Sequence, residues 1–341
     1  MKKIIGLFNH KGGVSKTLTT FNLGHMLSRK GYRIIVIDTD SQCNLTGLFL
    51  GENNFESFYK ENPDNNIKSA LNCVFKGQPI PINVIQGVKV NENLLLVPSA
   101  LDITELDLSL GMAHNLSSTL PVLESLPGAF NEFIERMVAR ENADFVLIDM
   151  NPSLSEINKN LLMISDYFII PTAPDYFSSM ALNTLSDVIP KWKKWAVSAR
   201  SMFSNSTYPF PKRDPKLLGI VMQNYTIRNG KASAAFQEKI DSVIERLKGS
   251  MLPAFEPMNL LLQGDRKDKL ERLNYCIAMI PDFQSLIAKM EADGLPFSPV
   301  FEIPVDRLGQ GTVKDNYLIK KELFFEIFDK LADLIVEITN D

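Results

Sequence analysis

The 341 residues carry 36 basic and 40 acidic side chains, a formal net charge of −4, with 45% hydrophobic content. That balance argues against a wholly basic nucleic-acid coat, though not against a local basic face, and is enough apolar material for one large core or two modest ones. The three cysteines (Cys43, Cys73, Cys276) lack metal spacing, and no apolar run approaches a membrane span, so free thiols in a reducing cytoplasm are expected, without integral membrane association. The chain enters a strand directly, with no signal-peptide pattern ahead of it.

The first predicted strand is Lys3-Ile4-Ile5-Gly6-Leu7-Phe8, and Phe21, Leu23, Met26 and Leu27 follow it with helical spacing. Between them runs Asn9-His10-Lys11-Gly12-Gly13-Val14-Ser15-Lys16-Thr17-Leu18-Thr19. A strand that turns through small residues into a helix presents unpaired backbone N–H groups at the positive end of the helix dipole, where phosphate binds best. In such a cradle Lys16 reaches the β- and γ-phosphates and the Thr17 hydroxyl ligates Mg²⁺. The strict pattern G-x-x-x-x-G-K-[ST] fails, because His10 and Ser15 hold both glycine positions.

Arg33-Ile34-Ile35-Val36-Ile37 reads as a buried strand ending in Asp38-Thr39-Asp40-Ser41-Gln42. Alternate residues share a face, so Asp38 and Asp40 converge in the crevice at the carboxyl ends of the strands, unless the segment is only a polar exit. Between Gly51 and Asn93 one short helix, Ile67 to Phe75, is legible and no chemistry is assigned. Leu94-Leu95-Leu96-Val97 is the next strand, and helices are expected after Leu101 and over Ala129 to Arg140. Asp144-Phe145-Val146-Leu147-Ile148-Asp149 is an apolar strand ending in an acid, the Walker B form, whose last carboxylate holds Mg²⁺ beside Thr17. Further strands are expected at Tyr167–Pro171, Leu217–Met222 and Val300–Pro304, with a helix from Ser178 and a closing helix from Lys320 to Ile338. Strands alternating with helices in this order specify an α/β fold, a doubly wound, mostly parallel sheet with helices on both faces.

The loop fits the deviant pattern K-G-G-x-G-K-[ST] except at Ser15, and with its strand, helix and Lys-Thr ending the sequence resembles the ParA/MinD family of P-loop ATPases. The resemblance implies ATP and Mg²⁺ as ligands, with Gly12, Gly13, Val14, Ser15, Lys16, Thr17 and Leu18 around the phosphates. It also implies that Lys11 crosses an ATP-sandwiched homodimer to touch the partner's nucleotide. Asp38 would support the Mg²⁺ shell and Asp40 would orient or deprotonate the attacking water. Asn224 is placed near the adenine, although an asparagine capping a strand end fits as well, and Pro304, Val305 and Asp306 are placed there too. Ser15, Leu18, Ser41 and Asn151 depart from the residues usual in the family.

The implied function is an ATPase switch that binds nonspecific DNA in plasmid or chromosome partition, stimulated by a ParB-like cargo adaptor, cytoplasmic and nucleoid-associated. A positioning or regulatory ATPase acting on a protein cargo is the alternative, and a nucleotide-binding module with little turnover is a third. For DNA, the cluster Lys191, Lys193, Lys194 and Arg200, interleaved with Trp192 and Trp195, is the candidate face, joined by Arg228 and Lys231. The same spacing also describes a solvated helix face whose tryptophans pack inward. The chain is expected to be a single domain over residues 1–341, with insertions near 191–215 and 249–299, the second holding helices at Asp265–Leu273 and Phe283–Ala292. Acids at Glu322, Glu326, Asp329, Asp333 and Glu337 favour core packing of the closing helix over membrane docking.

Overall fold

Runs of Ile, Leu and Val without polar alternation can only be buried on both faces, and the structure, a computed structural model describing residues 2–116, 123–225, 227–228, 231–232, 234–291 and 294–340, places them inside an eight-stranded sheet. In chain order the strands are β1 (Lys3–Leu7), β2 (Ile34–Asp38), β3 (Val88–Asn91), β4 (Leu94–Val97), β5 (Phe145–Asp149), β6 (Tyr167–Thr172) and β7 (Lys216–Tyr225). A separate two-stranded hairpin, β8 (Ile227–Arg228) and β9 (Lys231–Ala232), precedes β10 (Cys276–Pro281). The main sheet runs β10-β7-β6-β1-β5-β2-β4-β3 and is parallel except for β3, an antiparallel edge on β4. Every residue of β1, β2 and β5 is buried.

Helices cover the sheet in two groups. The helix Lys16–Arg29 packs against the closing helix Gly311–Thr339, while Ile67–Phe75, Leu126–Glu141, Glu156–Ile164 and Tyr176–Met202 pack in succession. The closing helix buries Phe324, Phe328, Leu331, Ala332, Ile335 and Ile338, a stripe at helical spacing, and its Asp329 and Asp333 both pair with Lys30. Among the described residues no helix is long and apolar enough to cross a membrane.

Three expectations are corrected at the carboxyl-terminal end. Val300–Pro304 is not a strand: Val300–Glu302 forms one turn of 3₁₀ helix, and Val305–Leu308 forms another. Pro299 and Pro304 bracket the segment and supply no N–H to a ladder, and the Val300 amide donates to Asn22 Oδ1 at 2.8 Å. The last parallel strand is β10, which lies inside the stretch 249–299 expected as an insertion, so that stretch supplies a sheet edge. The helix expected over Phe283–Ala292 is broken into a 3₁₀ turn, Gln284–Leu286, and a single helical turn, Ile287–Met290. The other expected insertion, 191–215, begins as a continuation of the helix Tyr176–Met202 through Pro190.

His25 offers a test of the core. It is wedged between Phe21 and Phe49, with ring centroids 4.7 and 5.5 Å away, and its Nε2 has no hydrogen-bond partner among the described residues. Burial pushes its imidazole down to about 4. A histidine whose folded value lies below its unfolded one keeps full stability above the unfolded value and loses it as pH falls toward the folded one. Between pH 7 and 5 this group should remove about 2 kcal/mol of stability, a loss that His25→Leu escapes. Equal acid sensitivity of the two proteins in thermal melts would refute the assignment.

Candidate nucleotide site

Register brings the site together. Leu7 of β1 lies level with Asp149 of β5, and Asp149 lies level with Asp38 of β2, so the loop after β1 leaves the sheet beside two carboxylates. β1 sits between β5 and β6, where the connections diverge, and that is where open α/β sheets form their ligand crevice.

The loop itself is held by its first residue. Asn9 is fully buried, donates to the Pro171 carbonyl at 2.8 Å and accepts from the Lys11 amide at 3.0 Å. Gly13 (φ 72°) and Ser15 (φ 50°) are both left-handed, and the helix starts at Lys16. A Cβ built on Gly13 would meet no heavy atom within 4 Å, and one on Gly12 would meet only Pro152 at 4.0 Å, so the loop faces open space of the kind a polyphosphate fills. Gly12 through Leu18 line one cleft together with Asp40 and Pro152, with Ile287 and Phe297 at its rim.

Charge is concentrated at its floor. Lys16 is 7% exposed and donates to the Lys11 carbonyl at 3.1 Å. Burial lowers its pKa, opposed by Asp149 and then Asp40. Asp149 is 1% exposed, and its carboxyl is pushed up to about 8, by burial first and then by the nearby Asp38, despite a hydrogen bond from Thr17. A buried carboxylate held that high is short of positive charge, which a divalent cation would supply. Among the described residues no cluster of three or more His, Cys, Asp and Glu could hold a metal by itself. Thr17 and Asp149 together suit Mg²⁺, which keeps waters and phosphate oxygens as its other ligands.

The two carboxylates after β2 divide their work. Asp38 is fully buried and accepts from the Asp40 amide at 3.0 Å, the Thr46 amide at 2.8 Å and the Thr46 hydroxyl at 2.7 Å. Burial pushes its carboxyl up to about 6. Its oxygens hold the segment in shape, while Asp40, which accepts from the Gln42 amide at 3.0 Å, is the one that lines the cleft.

Other expected residues fall elsewhere. Lys11 Nζ donates to Asp175 Oδ2 at 2.6 Å and to Ser178 Oγ at 3.0 Å, both in its own chain. Asp175 also caps the helix Tyr176–Met202, accepting from the Ser178 amide at 2.8 Å. In sequence, Ser178 is placed only at a helix start and neither residue is assigned to Lys11, although Asp175 and Ser178 stand at N-cap spacing. Asn224 turns its amide to Ser15 and Gly13. Pro304, Val305 and Asp306 do not line the cleft, because they follow a 3₁₀ turn packed on the closing helix instead of a strand end. The sequence holds other Ile-Pro pairs, and one of them, Ile280-Pro281, ends the last strand. It carries the same signal, an apolar run closed by proline.

The basic cluster is also dismantled. Lys193 is buried and pairs with Asp214, and Arg200 reaches the same carboxylate at 2.7 Å. Trp192 packs on Phe8 and Trp195 on His114 and Phe210, so both tryptophans face inward. Lys191 and Lys194 remain exposed. Arg228 and Lys231 pair across the β8–β9 hairpin, and their side chains lie outside the described residues.

A parallel sheet with a phosphate-type loop between its first strand and helix, and acids at the ends of two neighbouring strands, defines a P-loop NTPase fold. The profile of the AAA domain matches residues 2–200. An uncharacterised protein of Methanocaldococcus jannaschii is 30% identical over 278 residues, 72% of this chain and 99% of that protein. The sporulation initiation inhibitor protein Soj of Bacillus subtilis is 28% identical over 55% of this chain and 65% of its own length. Among solved structures, pNOB8 ParA aligns over 99% of both chains at 21% identity with a TM-score of 0.57, and its complex with nonspecific DNA aligns over 99% and 98% at 19% identity and 0.54. The chain thus spans nearly all of the archaeal relative but just under two thirds of Soj. It belongs to the ParA/MinD-like family of P-loop ATPases.

Proposed function

We propose that this chain hydrolyses ATP with Mg²⁺ as a dimer switch that binds nonspecific DNA and serves partition of a plasmid or chromosome. The observation that carries the reading is the open phosphate loop set beside buried Lys16 and buried Asp149 at the end of the neighbouring strand. Phosphoryl transfer needs positioning and charge more than covalent chemistry. Here the loop amides from Gly12 to Leu18 and the Lys16 ammonium take the phosphates. Thr17 and Asp149 hold Mg²⁺, whose contribution when bound is to neutralise charge on the phosphate oxygens. Asp40 orients the attacking water from the cleft wall, and Asp38 holds Asp40 in place through its backbone amide. Lys11 leaves Asp175 and reaches the nucleotide of the partner subunit, which makes turnover depend on dimerisation. The whole chain acts as one ATPase domain, cytoplasmic and nucleoid-associated, with hydrolysis stimulated by a ParB-like adaptor.

The structural neighbour solved with nonspecific DNA supports the DNA surface. Two exposed lysines are a thin footprint, however, and the exposed Leu154, Tyr176, Phe177 and Met180 favour a second reading in which the switch acts on a protein cargo. A mobility shift of nonspecific duplex DNA with ATP, ADP or no nucleotide decides between them. ATP-dependent, salt-sensitive binding is expected, with the log–log salt slope reduced by about 2 in the Lys191→Ala, Lys194→Ala double variant. ATP hydrolysis without DNA binding in any nucleotide state would sink the DNA reading.

A further inference from the structure

Ser15 occupies the point of the loop where backbone geometry asks for a glycine. Its φ of 50° and ψ of 34° are left-handed, a conformation that is unfavourable for an ordinary side chain. Contacts from the end of β7, distant in sequence, oppose that cost. Asn224 Oδ1 accepts from the Ser15 hydroxyl at 2.9 Å and Asn224 Nδ2 donates to the Gly13 carbonyl at 2.9 Å, so a single amide spans the turn. Beside it Gln223 Nε2 donates to the Thr19 hydroxyl at 2.5 Å and to the Ser15 carbonyl at 3.4 Å. Successive residues of a strand face opposite ways. Asn224, with φ 59°, breaks that alternation, and asparagine is one of the few residues that takes this conformation readily. The kink lets both amides meet the same loop.

We propose that Asn224 is a positioning residue for polyphosphate binding: with Ser15 it forms a clasp that keeps the phosphate loop in shape without a glycine at position 15. The inference rests on the nucleotide reading of this site. It assigns the Asn224 amide to the loop and hence to the phosphates, where the family resemblance points to the base. The clasp also holds the Gly13 carbonyl oxygen on an N–H donor, so that it is not turned on phosphate oxygens of like charge.

The test measures Mg²⁺-dependent binding of ATP and of inorganic tripolyphosphate to the full chain and to four variants, with thermal melts confirming that each folds. The variants are Asn224→Ala, Ser15→Ala, Ser15→Gly, and Asn224→Ala combined with Ser15→Gly. Asn224→Ala should weaken ATP and tripolyphosphate by the same factor, about tenfold for the lost hydrogen bonds, and Ser15→Ala should do likewise. With Ser15→Gly already in place, Asn224→Ala should cost no more than about twofold, the non-additivity expected of two groups that act through each other. Loss of ATP affinity with tripolyphosphate unaffected would assign Asn224 to the base and overturn the clasp. So would equal losses from Asn224→Ala with and without Ser15→Gly, or full affinity in Ser15→Ala. A wild-type chain that binds neither ligand removes the nucleotide reading and the clasp with it. A wild-type chain that binds ATP while the substitutions add independently removes the clasp alone.

Discussion

Asp149→Asn is expected to make the nucleotide-free protein more stable and to abolish its response to Mg²⁺ and ATP. The reason is the carboxyl's place at the end of β5, 1% exposed, next to Asp38 and pushed up to about 8 chiefly by burial. A carboxyl whose folded value is raised disfavours folding once the unfolded chain ionises. The gap between variant and wild type should therefore open as pH rises above the ordinary carboxyl value and be complete near 8. Asparagine is of the same size and can still accept from Thr17, and Asp40 remains near Lys16. Allowing for the charge that Lys16 loses, the gain at pH 7 should be about 2 kcal/mol. A ligand present at a hundred times its Kd adds about 2.7 kcal/mol to a protein that binds it, and the variant should show little of that. Melts of both proteins, with and without Mg²⁺ and ATP, read both effects. A nucleotide-free variant less stable than wild type would mean that the Asp149 charge is satisfied within the chain, and the inferred metal role would fall.

Lys11→Ala is expected to lower ATP turnover by about a thousandfold, the smaller end of what a cation supplied in trans contributes to phosphoryl transfer. Nucleotide affinity should change by less than about tenfold, because the Lys11 side chain points at Asp175 and Ser178 of its own chain while Lys16 stands on the cleft floor. That separation of turnover from binding distinguishes a trans role from a structural one. The ion pair with Asp175, with Lys11 24% and Asp175 36% exposed, must open before the lysine can cross to a partner. Partly exposed pairs of this kind contribute modestly, so ATP-driven dimerisation can open it. Turnover per chain should then rise with protein concentration. Unchanged turnover in Lys11→Ala, or turnover independent of concentration, would remove the trans assignment.

Much of the nucleotide crevice was legible because its parts are local. A strand, a turn of small residues and a helix N-terminus are encoded in one continuous stretch, and the backbone geometry that makes the loop receptive follows from that stretch alone. The buried strands ending in Asp38 and Asp149 were visible for the same reason, since an apolar run buried on both faces has no helical or alternating period. Edges were harder to read. β10, Cys276-Ile277-Ala278-Met279-Ile280-Pro281, is an unbroken apolar run at the margin of the sheet, and Val300–Pro304 is apolar apart from Glu302 because it packs under the closing helix, so apolarity by itself does not separate the edge strand from the 3₁₀ turn. The sign of a lysine was readable, but its accessibility was not. Lys193 and Arg200 share Asp214, and no spacing rule connects position 193 to position 214.

The class of fold, the phosphate-type loop and the family can be read from the amino-acid sequence, since these depend on short-range patterns and their order along the chain. Which side chains meet is settled by how the elements pack: Lys11 reaches Asp175 and Asn224 reaches Ser15, and strand register brings Asp38 level with Asp149. Such pairs depend on strand order and register, which are set by how the buried faces of all the elements pack together, and no single segment carries that information.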